Sequence, residues 1–367
     1  MEGKIGEKFD SLAQRMLYGY AGTFPPFVPT RSDLASEESQ RQFHAFMGDV
    51  SERLFQAPEL LGLRTEPDDA YEDFEMMNRK PKLSGAMHRH KKKIDDFYAL
   101  LLKLGELGVV KQNKLYVQKA AVTLRSKALA TLGSLGLTAE VQQDQAALWS
   151  DEFPAMLDAW RMLAAAASAH GKGALLVFSH CMFDPAHSYA SDIFRGLVDD
   201  KRAFQQLEDF FTRNGYRRVD LSDGQLAVDW AKSYAAKDEP LKWHWAERTH
   251  GGLSIFYDYH NRHPITFGLR LPRFREVLAH FGEMDAHVQD FVVQQTKKCD
   301  NCGYCTQTDK TGTRKPLAVP VVRNGEYRLC PLFPGFTYRW TSVDEKLARQ
   351  LIGMLTWIDE LFRVEAG

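Results

Sequence analysis

Four of the five cysteines in the chain fall in one short segment near its C-terminus: Cys299, Cys302, Cys305 and Cys330. The first three follow one another with two residues between them, a spacing that lets successive thiols point toward one centre, and Gly303 permits the tight backbone approach. Asn324-Gly325 is a strong hairpin signal, so we expect it to return the chain and bring Cys330 back to the other thiols. Four converging thiolates are typical of a tetrahedral metal site.

A knuckle of three cysteines followed by a hairpin that carries the fourth resembles a zinc ribbon or a related treble-cleft-like element, over residues 297–330. The resemblance implies one structural zinc ion, closed by four thiolates and therefore without a position for an activated water. The usual ribbon divides its ligands two and two, whereas this segment divides them three and one. The cysteine spacing and Pro331 also resemble ferredoxin-type ligation, in which the fourth cysteine follows much sooner. Zinc is the preferred interpretation, and an iron–sulfur cluster and redox-active thiols stay open as alternatives.

Charge and hydropathy narrow the class of protein further. Forty-seven basic residues against forty-eight acidic ones give a net charge of -1, so no global field favours nucleic acid or an anionic membrane as partner. The first thirty residues are charged and have no apolar core, which argues against a conventional secretory signal, and the longest apolar stretches are too short to span a bilayer. Clustered cysteines fit a metal site in a reducing compartment, so we expect a cytoplasmic protein.

The periodicity of apolar residues predicts an α+β fold that is helix-rich, with a small, mainly antiparallel sheet domain and a C-terminal zinc-ribbon-like module followed by a terminal helix. Four parts are expected: a helical N-terminal region (1–95), a helical or winged-helix-like region (96–170), an α+β sheet domain (171–290) and a four-cysteine metal module with the C-terminal helix (291–367).

A motif recurs within the second of these parts. Lys103-Leu-Gly-Glu-Leu-Gly-Val is repeated at 131–137 as Thr-Leu-Gly-Ser-Leu-Gly-Leu, each time after a predicted helix. In the first copy the helix spans Ile94 to Leu107, and Gly105 and Gly108 are expected to form its left-handed C-terminal cap.

Several local patterns predict individual elements of the last two parts. Ala174-Leu-Leu-Val-Phe-Ser is a short apolar run that indicates a buried strand. Alternating residues predict two antiparallel hairpins, at 218–221 with 226–230 and at 253–259 with 265–271. In the terminal helix, Ser342 and Glu345 predict a capping box. An apolar stripe then recurs at three- or four-residue steps: Leu347, Leu351, Met354, Ile358 and Leu361.

A second candidate site lies where histidines and aromatic residues concentrate. Aromatic walls with a few polar groups are typical of small-molecule sites. The predicted ligand pocket comprises Trp243, His244, His250, Tyr257, Tyr259, His260 and His263. The alternative is a half-buried hairpin whose aromatic residues belong to the core and whose histidines line the turn. With the pocket, the preferred hypothesis for the whole chain is a zinc-binding protein that binds or senses a small molecule.

Two other function classes stay open. One is an enzyme that uses His180, Cys181 or the histidine-rich hairpin as acid, base or nucleophile, with His187 close by in sequence. The other is a nucleic-acid-binding protein that uses the basic segment 79–93, which has seven positive charges and no acidic residue. Aromatic residues for base stacking are not interleaved there, so pairing with the acidic run from Glu66 to Glu75 or with solvent is the simpler interpretation.

Overall fold

Helices and small antiparallel sheets share the chain, which confirms the predicted mixed α+β class. The structure is a computed structural model and describes residues 9, 11–65, 81–122, 124–220, 226–233, 250–257, 265–271, 273–300, 306–308, 314–331 and 338–365. Two units are formed. Unit 1 comprises Met1–Ile193, Leu221–Leu226 and Tyr257–Pro264, and unit 2 comprises Phe194–Asp220, Ala227–Phe256 and Ile265–Gly367. The four-part division stays a prediction; two of its boundaries, 95/96 and 170/171, lie within unit 1.

Amphipathic helices build most of unit 1, as the sequence predicts for the N-terminal region. Their bounds are α1 Leu12–Ala21, α2 Glu37–Gln56, α3 Pro81–Leu107, α4 Ser126–Ser134, α5 Leu157–Ser168, α6 Ala174–Ser179 and α7 Tyr189–Leu197, the last continuing into unit 2. Ser11 and Ser36 cap α1 and α2 by accepting backbone N–H groups through their hydroxyls. In the core the ring of Phe43 on α2 stacks 5.8 Å from that of Trp160 on α5.

The recurring motif ends α3 and α4, and each helix is followed by a hairpin. The strands are β1 Val109–Lys111, β2 Lys114–Gln118, β3 Thr138–Val141 and β4 Gln145–Trp149, joined in the order β1-β2-β4-β3 with every pair antiparallel. Two helix-and-hairpin copies therefore share one sheet.

The predicted cap at Gly105 and Gly108 is wrong, because neither glycine has a positive φ. Gly105 lies inside α3, and a Cβ built on it would lie 2.5 Å from Cδ1 of Trp160. Its lack of a side chain lets α3 and α5 approach closely. In the second copy of the motif Gly136 follows α4 with φ +88, so the left-handed conformation occurs there.

The predicted strand at Ala174–Ser179 is also wrong, since this run forms α6. A 3-10 turn at Gly171–Gly173 leads directly into the helix. Leu176, Val177 and Phe178 are all buried. A short run that is apolar on every side has no periodicity to separate a buried strand from a buried helix.

Among the residues that the structure describes, unit 2 combines helices with three sheets. Its helices after α7 are α8 Lys201–Arg213, α9 Phe274–Ala279, α10 Ala286–Gln295 and α11 Glu345–Glu365. Its strands are β5 Arg217–Asp220, β6 Ala227–Ser233, β7 His250–Tyr257, β8 Ile265–Arg270, β9 Thr306–Thr308, β10 Arg314–Pro316, β11 Val319–Val322, β12 Glu326–Leu329 and β13 Tyr338–Trp340. The main sheet has the order β13-β8-β7-β6-β5, and β9/β10 and β11/β12 form separate two-stranded sheets. Both predicted hairpins therefore appear as neighbouring strands.

The terminal helix α11 packs against α8 through the predicted stripe, whose central members Leu351, Met354 and Ile358 are buried. The predicted capping box is wrong. Asp344 starts the helix instead, because its Oδ1 accepts the backbone N–H of Leu347 at 2.7 Å.

No helix in the part of the chain that the structure describes is both long and apolar enough to cross a membrane.

Candidate functional site

The hairpin predicted from Asn324-Gly325 is present and carries the last predicted metal ligand. Its strands β11 and β12 pair in antiparallel register from Val322 opposite Glu326 to Val319 opposite Leu329. Asn324 and Gly325 have φ values of +51 and +147, conformations that Asn and Gly adopt most readily. Cys330 directly follows β12.

The segment that leads into the three-cysteine knuckle lies beside the end of β12. Lys298 and Leu329 form an antiparallel bridge. The backbone N–H of Cys299 donates to the carbonyl oxygen of Arg328 at 2.7 Å, and the N–H of Cys330 donates to that of Lys297 at 2.8 Å. The first and last predicted ligands therefore lie on adjacent strands of one ladder, although they are separated by a long stretch of sequence.

The register of this ladder sets the relation between the two thiols. Cys299 is opposite Arg328 and Cys330 is opposite Lys297, so the two cysteines share one face as a diagonal pair. Diagonal neighbours in an antiparallel ladder have Cα atoms roughly 7–8 Å apart. A disulfide needs Cα atoms about 4.4–6.8 Å apart, so this register favours a shared metal ion over a direct bond between them.

The two faces of the hairpin differ in burial. Val321 and Leu329 are 5% and 0% exposed on the face opposite to the cysteines. Cys299 and Cys330 are half-buried, and Lys297 and Arg328 on the cysteine face are exposed. One face of the hairpin is thus packed, while the other carries the two cysteines beside Lys297 and Arg328. Neighbouring cations favour the anionic thiolate form of cysteine, which is the form that binds a metal ion.

Cys302 and Cys305 lie outside the described residues. Within the described ranges no group of three or more His, Cys, Asp or Glu side chains is arranged to hold a metal ion. Those ranges contain only two of the four cysteines, Cys299 and Cys330.

Comparison with protein-family models finds no match for this chain, and comparison with curated proteins and with solved structures finds none either. The chemistry of each candidate site therefore rests on its own residues.

Among the predicted pocket residues, only Tyr257 has a described side chain. It is 2% exposed, its hydroxyl donates to the carbonyl oxygen of Arg15 at 3.2 Å, and its ring lies 6.3 Å from that of Tyr18. These contacts place Tyr257 in the packed interior of unit 1. The backbone of His250 lies on β7, but the structure does not describe its side chain. The remaining candidates lie outside the described residues: Trp243, His244, Tyr259, His260 and His263. The pocket stays a prediction.

The predicted acid, base and nucleophile at 180–187 have separate partners in the described structure. His180 is fully buried between the hydroxyls of Thr23 and Ser179, with both nitrogen-to-oxygen distances 3.0 Å, and burial lowers its pKa to about 4. Burial raises the pKa of the Cys181 thiol, so this thiol stays protonated at neutral pH. His187 contacts Asp192 at 2.8 Å. A protonated, buried thiol is a poor nucleophile, which weakens the enzyme hypothesis at this position.

The basic segment 79–93 enters α3, where described lysines contact acidic partners one turn later. Lys91 contacts Asp95 at 2.6 Å and Lys92 contacts Asp96 at 2.8 Å. Arg79 and Lys80 lie outside the described residues. These two lysines pair with carboxylates of their own helix, and the acidic run 66–75 lies outside the described residues.

Proposed function

We propose that this protein binds one zinc ion through Cys299, Cys302, Cys305 and Cys330, and that the metal stabilises the 297–330 segment structurally. The observation that carries the proposal is the reciprocal pair of backbone hydrogen bonds beside Cys299 and Cys330. These bonds join the start of the knuckle to the end of the hairpin, as a shared ion requires.

A structural role follows from the ligand set. Four thiolates close the tetrahedral coordination of zinc and leave no position for substrate or an activated water. A short segment built on small hairpins has little apolar surface of its own, so the metal contributes much of its folding free energy, about 10–16 kcal/mol in isolated zinc-finger peptides. Reduced thiolates also favour the cytosol as the compartment.

Zinc is favoured over an iron–sulfur cluster because the fourth cysteine follows a hairpin, which is the arrangement of a zinc ribbon. The distance in sequence does not decide between the two metals, since in two-cluster bacterial ferredoxins the fourth ligand of each cluster also comes from a distant cysteine. Here a complete hairpin, β11 and β12, separates Cys330 from the knuckle.

The test is elemental analysis of the full chain, purified under reducing conditions, together with its visible absorption spectrum. We expect about one zinc per chain and a colourless protein, and less than about a tenth of that zinc in Cys330→Ser. Cys181→Ser is the matched control, because Cys181 is buried in unit 1, and it should retain the metal. Iron with acid-labile sulfide, no stoichiometric metal, or unchanged zinc in Cys330→Ser would each contradict the proposal.

A further inference from the structure

The four-stranded sheet of unit 1 has one packed face and one open face. Side chains alternate strictly along β2, where Leu115 and Val117 are buried and Tyr116 is half-exposed. On β4, Leu148 lies opposite Leu115 and Ala146 lies opposite Val117, and both are buried with them. The helical layer covers this packed face. On the other face every described side chain except that of Ala147 is exposed or half-exposed: Val109, Lys111, Lys114, Tyr116, Gln118, Thr138, Glu140, Gln145 and Trp149.

Two aromatic side chains lie at the centre of the open face. Tyr116 is opposite Ala147, and Trp149 lies two residues further along the same strand. The aromatic residues are therefore diagonal neighbours, with Cα atoms roughly 7–8 Å apart. Val109, which is 48% exposed, extends this apolar strip beside Tyr116. Paired aromatic residues on an open antiparallel sheet form a surface on which two or three unstacked bases can stack.

Lysines border the aromatic strip. Lys111 and Lys114 lie directly opposite each other beside the two-residue turn, whose residues Gln112 and Asn113 have φ values of +50 and +56. Like charges that lie directly opposite each other in a ladder destabilise a hairpin. A bound anion would reduce the repulsion between these two lysines and so stabilise the hairpin. The Nζ atom of Lys114 is 4.0 Å from the centroid of the Trp149 ring.

Among the described residues of these four strands, Glu140 is the one acidic residue on the open face. Its Oε2 is 3.3 Å from Nζ of Lys114, and the contacts with Gln142 and Lys114 lower its pKa, so it is ionised at neutral pH. Glu140 therefore neutralises the cation that lies over Trp149. An approaching phosphate would compete with this carboxylate for Lys114.

We propose that the open face of this sheet binds single-stranded nucleic acid, with bases stacked on Tyr116 and Trp149 and phosphates bound by Lys111 and Lys114. The polar rim of glutamines supplies hydrogen bonds without selecting one base. Glu140 lowers the affinity by holding Lys114. This surface is distinct from the basic segment 79–93 and does not depend on the metal site of unit 2.

The test is fluorescence anisotropy of the full chain with labelled oligo(U) and oligo(dT) of about ten nucleotides, at about 50 mM and 200 mM salt. We expect binding that weakens with salt. Tyr116→Ala and Trp149→Ala should each weaken it by about fivefold or more, as loss of a stacked base does. Lys111→Ala should reduce the slope of log affinity against log salt by about 0.7.

Glu140→Gln separates this proposal from a purely structural role, because it should tighten binding by about two- to fivefold at low salt. Lys103→Ala is the control, since it removes the same charge from α3, in the helical layer, and should leave affinity within about twofold. Circular dichroism verifies that each variant is folded. The proposal is overturned by absence of binding in the wild type, by aromatic variants that bind normally, or by weaker binding in Glu140→Gln.

Discussion

His180 shows at the residue scale how burial decides the protonation state of one side chain. Its ring is 0% exposed and contacts two hydroxyl groups that bear no charge. Desolvation disfavours the imidazolium ion, while hydrogen bonding only partly opposes this effect. The sequence shows a histidine next to a cysteine and suggests chemistry, whereas the surroundings make this imidazole a neutral element of the core.

The first prediction concerns the pH dependence of stability. His180 has a pKa of about 4 in the folded chain against 6.5 when exposed, so the unfolded chain binds the extra proton first as the pH falls. Stability should therefore decrease from about pH 6.5 and level off near pH 4. Between pH 7 and pH 5 this histidine should contribute a loss of about 2 kcal/mol, measured by urea unfolding.

His180→Gln should remove that contribution, since an amide keeps a polar contact and does not titrate in this range. His187→Gln is its control, because His187 is half-exposed and contacts Asp192. The burial of His44 also lowers its pKa and adds a pH dependence of the same sign in both variants. Equal pH dependence in His180→Gln and the wild type would rule out this origin.

At the element scale the two copies of the recurring motif share the pattern Leu-Gly-x-Leu-Gly, but their glycines have different surroundings. Gly105 on α3 faces the indole of Trp160, whose Nε1 donates to the carbonyl oxygen of Leu101 at 2.9 Å. That hydrogen bond holds the ring against the turn of α3 that precedes Gly105. The equivalent Gly133 on α4 has no atom within 4 Å of an added Cβ, among the residues that the structure describes.

The second prediction compares alanine at these two positions. In Gly105→Ala the new Cβ would lie 2.5 Å from Trp160 and 2.8 Å from Ala164, so α3 and α5 must separate. Overpacking of this kind costs about 1–3 kcal/mol, more than the gain in helix propensity of up to about 1 kcal/mol. In Gly133→Ala only the gain remains. Thermal and urea unfolding should show that Gly105→Ala is less stable than the wild type and that Gly133→Ala is equally stable or more stable. A change in the free energy of unfolding with the same sign in both variants would contradict the packing argument.

At the scale of the whole molecule, the cysteine segment belongs to unit 2, whereas the aromatic core around Phe43 belongs to unit 1. The two regions are stabilised in different ways. Unit 1 buries large rings and aliphatic side chains, while the described part of the segment from 297 to 330 consists of short hairpins with few buried residues. A structural metal ion would compensate for the small apolar core of that segment.

The third prediction is that metal removal acts locally. After chelation under reducing conditions, the amide protons of Cys299 and Cys330, which are donors in the ladder, should exchange with solvent at least about tenfold faster. Added zinc should restore their protection, since a ligand at about 1,000 times its Kd stabilises by about 4 kcal/mol. Amides of α2 in unit 1 should be unaffected and serve as the internal control. Identical exchange with and without metal would show that the segment folds without it.

The sequence alone determined those features that depend on local chemistry. The α+β class, the Asn324-Gly325 hairpin, the strands around residues 217–233 and the buried stripe of α11 follow from periodicity and turn preferences, which act over a few neighbouring residues. The predicted metal ligands and pocket residues likewise follow from residue type and spacing, and both sets stay predictions.

Only the tertiary structure decided the features that depend on distant partners. It made Ala174–Ser179 a helix, gave Gly105 its packing role, and moved the start of α11 to Asp344. It also paired Lys297–Cys299 with the end of β12 and left one face of the four-stranded sheet exposed to solvent. The physical reason is common to all of these: burial and strand register arise from residues far apart in sequence, and a local pattern has no information about which surface will cover it.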